Sequence, residues 1–214
     1  MILAAGRGER LRPLTDQTPK PLLEVRGRPL IERHVSALAA AGISRLVINL
    51  GWLGAKIRDR LGDGARFGVE IRYSVEEPRA LETAGGIFRA LPLLDAEGFA
   101  VVNGDILTDF PFERLALEPD ADAHLVLVPN PAQHPEGDFG IDGSRATAGL
   151  PPRYTFSGIA VYRPGFFAGC RDGVFPLKPL LLRCIERRRC AAELYEGAWA
   201  DVGTPERLAA LNAG

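Results

Sequence analysis

The sequence predicts an α/β protein built around a mainly parallel sheet. Short apolar runs of strand length alternate with longer stretches whose apolar residues recur at helical spacing. Strands separated by helical stretches form right-handed βαβ units, which pair in parallel. The turns after the first and fourth apolar runs are rich in glycine and polar residues, as expected where strands of such a sheet open on a ligand crevice.

Met1 to Ala5 is predicted as a buried strand that Gly6 ends. Leu30 to Ala41 is predicted as a helix, with Ile31, Val35 and Leu38 on one face, Pro29 at its start and Gly42 as its stop. Arg45 to Leu50 is the second strand. Trp52 to Leu61 follows as a helix presenting Leu53, Ile57 and Leu61. Val69 to Ser74 alternates like a strand, and Thr83 to Leu91 is helical with Gly85 and Gly86 near its start. Phe99 to Asn103 and Ala123 to Val128 are further strands. Residues 130 to 153, crowded with proline and glycine, are expected to be loop with one short strand near Phe139. Tyr154 to Tyr162 is a long strand, Leu177 to Arg189 a helix, Trp199 to Asp201 a short strand and Pro205 to Asn212 a closing helix. Without repeats or linkers, the chain is expected to be one domain, with residues 1–129 mainly one half and 130–214 the other.

The chain has 214 residues, 46% hydrophobic and 25% charged, enough to bury a core. A formal net charge of −1 gives no global field for nucleic acid or an anionic membrane, so neither is an expected partner. No apolar run approaches the roughly 20 residues that span a bilayer, and the start is too short for a signal segment. A cytoplasmic location is expected. Cys170, Cys184 and Cys190 match neither a disulfide framework nor a zinc site and are expected to be free thiols.

Five constellations bear on chemistry. Gly6-Arg-Gly8 follows a buried strand, so backbone N–H groups can approach phosphate, with Arg10 and Arg12 adding charge. It is neither a Walker A loop nor a dinucleotide fingerprint. Pro19 and Pro21 stiffen the chain around Lys20 and fix one ammonium group. Asp105, at the end of an apolar strand, is placed to hold magnesium together with phosphates, and Asp201 offers a second carboxylate. Glu82-Thr-Ala-Gly-Gly86 opens a helix with small residues and free N–H groups suited to a flat base. Each has a plain structural reading beside it: a tight turn, a solvated lysine, a helix cap. His34, His124 and His134 are scattered and suggest no nucleophile–base pair.

In order and spacing, LAAGRGERLRPLT at Leu3–Thr15 followed by PKPL at Pro19–Leu22 resembles the signature of the sugar nucleotidyltransferases. NGD at Asn103–Asp105 and WADVGT at Trp199–Thr204 resemble that family's two metal aspartates, and the likeness runs from Met1 to about Leu211. LETAGGIF at Leu81–Phe88, the short length and GDF at Gly137–Phe139 are most similar to the branch that uridylylates N-acetylmuramate 1-phosphate in peptidoglycan recycling. The resemblance implies a Rossmann-like three-layer nucleotidyltransferase fold with a mixed, mainly parallel central sheet. It implies that the chain joins a nucleoside triphosphate to a sugar 1-phosphate on Mg2+. Leu3, Ala4, Ala5 and Gly6 would line the nucleoside; Gly8, Glu9 and Arg10 would wrap the triphosphate; Thr83, Ala84 and Gly85 would help read uracil. Lys20 would bridge the α-phosphate and the sugar phosphate, Asp105 and Asp201 would hold the metal, and Asn103, Asp138 and Gly158 would touch the sugar phosphate. Arg10, Lys20 and Asp105 would carry catalysis, in a monomer or small homo-oligomer. Two alternatives stay open: a guanylyl- or cytidylyltransferase for a heptose, mannose or choline phosphate, and a non-catalytic nucleotide-sugar sensor.

Overall fold

The computed structural model describes residues 1–77, 80–94, 96–149 and 151–213. Its elements run β1 (Ile2–Leu3), α1 (Leu14–Gln17), β2 (Glu24–Val25), β3 (Arg28–Pro29), α2 (Leu30–Ala40), β4 (Arg45–Leu50), α3 (Gly54–Leu61), β5 (Glu70–Val75), α4 (Glu82–Leu94) and β6 (Phe99–Asn103). They continue with β7 (Ile106–Thr108), β8 (Ala123–Val128), β9 (Phe139–Asp142), β10 (Arg145–Thr147), β11 (Arg153–Tyr162), α5 (Lys178–Glu186), β12 (Cys190–Leu194), β13 (Trp199–Asp201) and α6 (Pro205–Ala213).

One large sheet has the order β5-β4-β1-β6-β11-β8-β12-β10-β9. Residues alternate between its two faces, and each face is covered by helices. Ile2, Ile48 and Val102 pack under α2 and α3 through Ile31, Val35, Leu38, Ile57 and Leu61. Met1, Val47, Val101 and Ala160 face the other way, against Ala84, Ile87 and Ala90 of α4 and Leu180, Leu181 and Cys184 of α5. The sheet is therefore the middle of three layers. The three cysteines are free. No helix among the described residues is long and apolar enough to cross a membrane.

The sheet is mixed, and the expectation that it is mainly parallel holds only for its first half. The pairs β5–β4, β4–β1 and β1–β6 are parallel, as is β12–β8. The pairs β6–β11, β11–β8, β12–β10, β10–β9 and β9–β11 are antiparallel. Connection length explains one of these pairs: β9 leads into β10 through a tight turn at Gly143 with no room for a crossover helix, so the two pair antiparallel. Residues 139–147 accordingly form a hairpin of two strands turning at Gly143, where one short strand was expected. Other bounds shift too. The second predicted helix starts at Gly54 because Leu53 is left-handed with φ 51°. The helix predicted to reach Arg189 stops at Glu186, and Cys190–Leu194 forms a strand beside β8.

Candidate active site

The crevice lies beyond the carboxyl ends of β1, β4 and β6. Its floor depends on close backbone approach. The Gly104 N–H donates to the Leu3 carbonyl at 2.8 Å, and a Cβ there would stand 2.6 Å from that oxygen. Only glycine lets the Asn103–Asp105 turn lie against β1. Gly158, with φ +83°, sits at a bulge in β11, and a Cβ would come within 2.6 Å of Asn103 Nδ2. The structure thus brings the predicted pair Asn103 and Gly158 together. Ser157 satisfies the polar groups that the bulge leaves over, donating to Val126 O at 2.6 Å and accepting from Ile159 N at 3.1 Å.

The glycine loop is braced from outside. Gly8 takes φ +67°, and Thr15 Oγ1 donates to its carbonyl at 2.8 Å. Arg7 stacks 3.7 Å over Trp52, donates to Thr15 O at 2.9 Å and pairs with Asp16, which Arg12 also holds. Arg10 is exposed and pairs with no carboxylate among the described residues. Of the loop's arginines it is the one left for a ligand. Glu9 is exposed beside it. Lys20 is 9% exposed and makes an ion pair with Asp105, so a buried ammonium and a carboxylate share the crevice floor.

A cavity of about 230 Å³ opens here, lined by Leu3, Ala4, Ala5, Gly6, Lys20, Thr83, Asn103 and Asp105 among the predicted residues. The helix start divides differently from expectation. Thr83 and Glu82 face the cavity, but Ala84 is wholly buried in the core and the Gly85 N–H donates to Phe175 O at 3.2 Å. Gly85 is small because the Gly173 carbonyl would stand 2.3 Å from a Cβ.

Two lining residues escaped the sequence reading. Asn49, 4% exposed, accepts from Ala4 N at 2.6 Å and donates to Glu76 Oε1 at 2.6 Å; Glu76 Oε2 accepts from Leu81 N at 2.8 Å. This chain ties the ends of β1, β4 and β5 to the start of α4. Its signals were a lone asparagine inside the apolar run Arg45–Leu50 and an acid directly after β5.

Asp201 reaches the same place from the far end of the chain. β13 pairs antiparallel with β7, setting Asp201 opposite Ile106, and Val202 N donates to Asp105 O at 2.8 Å. The Asp201 carboxylate is held by Arg207 through both oxygens and by Gln133 at 2.8 Å. Asp138 lies in the neighbouring loop, accepting from Phe156 N at 2.9 Å with His134 Nε2 3.3 Å from its other oxygen. Behind β7, buried His34 lies 2.9 Å from Ile106 O through Nε2, and desolvation lowers its pKa from 6.5 to about 4. Neutral at working pH, it donates to that carbonyl and steadies the strand that carries Asp105.

No group of three or more His, Cys, Asp or Glu side chains is placed to hold a metal among the described residues. Two carboxylates nonetheless suit magnesium, which takes one or two protein carboxylates and completes its shell with water and phosphate. Asp105, in the turn before β7, and Asp201, at the end of β13 beside β7, fit that donor set.

Residues 1–143 match the nucleotidyl transferase family. The N-acetylmuramate alpha-1-phosphate uridylyltransferase of Neisseria meningitidis serogroup B is 50% identical over 217 residues, covering 97% of this chain and 94% of that one. The mannose-1-phosphate guanyltransferase of Candida albicans is 34% identical over 228 residues, covering 96% of this chain and 61% of that one. Among solved structures, a putative glucose-1-phosphate thymidylyltransferase from Bacillus anthracis, in complex with a sucrose, has the same fold with a TM-score of 0.84 at 23% identity, over 99% of this chain and 92% of that one. A glycine loop, a lysine and the Asp105 carboxylate at one cavity agree with these likenesses: the chain belongs to the nucleotidyl transferase family and is an enzyme of that class.

Proposed function

We propose that the chain transfers a uridylyl group from UTP to N-acetylmuramate α-1-phosphate, releasing pyrophosphate, in the cytoplasmic recycling of peptidoglycan. The observation that carries this reading is the meeting of Lys20, Asp105 and the glycine loop at one cavity. It is supported by 50% identity to the Neisseria uridylyltransferase across almost the whole of both chains.

The reaction joins two anions. A sugar phosphate monoester has a second pKa near 6, so at neutral pH its oxygen is already an adequate nucleophile and no general base is needed. That oxygen attacks the α-phosphorus of UTP, the bond to the bridging oxygen breaks, and pyrophosphate leaves with the electron pair. The protein's task is to offset charge and align the attack. The Lys20 ammonium faces both phosphates from the floor, and the Arg10 guanidinium closes on the triphosphate from the loop, with Gly8 and Glu9 around it. The backbone of Leu3–Gly6 lines the nucleoside, and Thr83 reaches the base. Ala84 and Gly85 support that wall from behind. Asn103, Gly158 and Asp138 flank the sugar phosphate, so that residues 1–129 chiefly bind nucleotide and residues 130–214 chiefly bind sugar. Magnesium held by Asp105 and Asp201 would neutralise phosphate charge when bound.

Guanylyl transfer to mannose 1-phosphate is the second reading, favoured by the 34% identity to the Candida guanyltransferase. A sensor is disfavoured because Arg10, Lys20, Asp105 and Asp201 are all present. Product analysis tests the proposal. With UTP, magnesium and N-acetylmuramate 1-phosphate, UDP-sugar and pyrophosphate should form in equal amounts, and neither should form without the acceptor. Pyrophosphate released without acceptor contradicts direct transfer.

A further inference from the structure

Asp201 is saturated by partners from two other parts of the chain. Arg207 in α6 donates to both carboxylate oxygens through one guanidinium nitrogen, and Gln133 Nε2 donates to Oδ1 at 2.8 Å from the loop before Asp138. The path between Asp201 and Arg207 is cleared by Gly203. A Cβ there would stand 2.6 Å from Asp201 Oδ2 and 2.9 Å from the guanidinium carbon. Arg207 is also delivered by an anchored helix. Thr204 Oγ1 accepts from Arg207 N at 3.4 Å, Asn212 accepts from Arg26 N at 2.6 Å and donates to Glu24 O at 3.2 Å, and Leu208 and Leu211 pack against Val25, Leu30 and Val202.

Asp105 has its own partner in Lys20. The two carboxylates are therefore matched one to one by cations of the chain. The two pairs differ in kind. Lys20 holds one oxygen of Asp105, whereas Arg207 occupies both oxygens of Asp201, the same lone pairs a metal ion needs.

We propose that Arg207 is a positioning residue, the resident counter-ion of Asp201, and that a divalent cation binds at Asp201 by displacing it. The inference rests on the reading of Asp201 as a metal ligand. While the cation is absent, Arg207 keeps the carboxylate aimed at the crevice and neutral in sum. When the cation arrives, the guanidinium gives up at least one oxygen. Metal affinity is then set by competition between the two.

Binding of Mn2+ alone, followed by electron paramagnetic resonance on the intact protein, tests this without relying on turnover. Arg207→Gln should bind Mn2+ about fivefold more tightly than the wild type, since a half-exposed ion pair no longer competes. Arg207→Lys, which keeps the charge on a shorter side chain, should fall between the two. The rise in melting temperature on adding magnesium should be larger for Arg207→Gln than for the wild type. Unchanged or weaker Mn2+ binding in Arg207→Gln overturns the proposal, because a residue that only shapes or orients the site gives that result. If Arg207→Gln does not fold, Arg207→Lys decides by the same sign. Asp201→Asn separates the underlying reading: wild-type Mn2+ affinity in that variant means Asp201 is not a ligand, whatever Arg207 does.

Discussion

Lys20 is a buried ammonium paired with Asp105 at the floor of the crevice. Its charge is costly to bury, which fits the proposal that two anionic substrates meet beside it. Lys20→Ala should reduce kcat by about 10²–10³-fold, the ~3–4 kcal/mol that a positioned charge-stabilising donor supplies in a transition state. Steady-state kinetics with a melting curve alongside would check this; near-normal turnover would remove the role. His34 makes a prediction of the opposite kind, on stability. Its folded pKa is lowered to about 4 from 6.5. As pH falls through that window the unfolded chain takes up a proton that the folded chain refuses, so stability declines, by up to about 3 kcal/mol in full. Denaturant titrations at about pH 7 and about pH 5 should show a smaller loss in His34→Gln than in the wild type. Tyr162 is fully buried and its hydroxyl has no partner among the described residues. Tyr162→Phe should therefore be neutral or stabilising by about 1 kcal/mol in the same measurement.

At the scale of elements, the glycines of α4 have opposite consequences from those of an ordinary helix. Gly→Ala inside a helix normally stabilises by about 0.5–1 kcal/mol. At Gly86 a Cβ would stand 2.3 Å from Glu76 Oε1 and 3.0 Å from Asn49 Nδ2. Gly86→Ala should instead destabilise by about 1–3 kcal/mol and raise the KM for the nucleotide, because the wall between β4, β5 and α4 is forced apart. Parallel melting and kinetic measurements would show both. The same elements explain what was legible in the sequence. Arg45–Leu50, Phe99–Asn103 and Ala123–Val128 appear as predicted because unbroken apolar runs ended by polar turns leave little choice of state. Cys190–Leu194 was not legible: CAAEL holds no β-branched or aromatic residue, and pairing with β8 and β10 makes it a strand. The β9–β10 hairpin was hidden by the proline and glycine around it. In the site, glycines that mark close approach were readable, whereas Asn49 and Glu76 are single polar residues whose meaning comes from partners distant in sequence.

At the scale of the molecule, the change from parallel to antiparallel pairing at β6–β11 shapes the site proposed for two substrates. The parallel half brings the ends of β1 and β4 and the start of α4 around the cavity. The antiparallel β11 then lays Gly158 directly against Asn103, and β13 returns along β7 to add Asp201. The cavity itself is lined from the first half of the chain, and the second half adds Gly158 against Asn103 and β13 beside β7. Which base and which sugar enter it is the central claim, and a competition assay tests it most directly. UTP, GTP, CTP, ATP and dTTP are supplied together with magnesium, with N-acetylmuramate 1-phosphate in one reaction and mannose 1-phosphate in another, and the nucleotide-sugar products are identified. The expected result is UDP-N-acetylmuramate as the dominant product of the first reaction and little product in the second. GDP-mannose as the dominant product, with N-acetylmuramate 1-phosphate left unused, would contradict it.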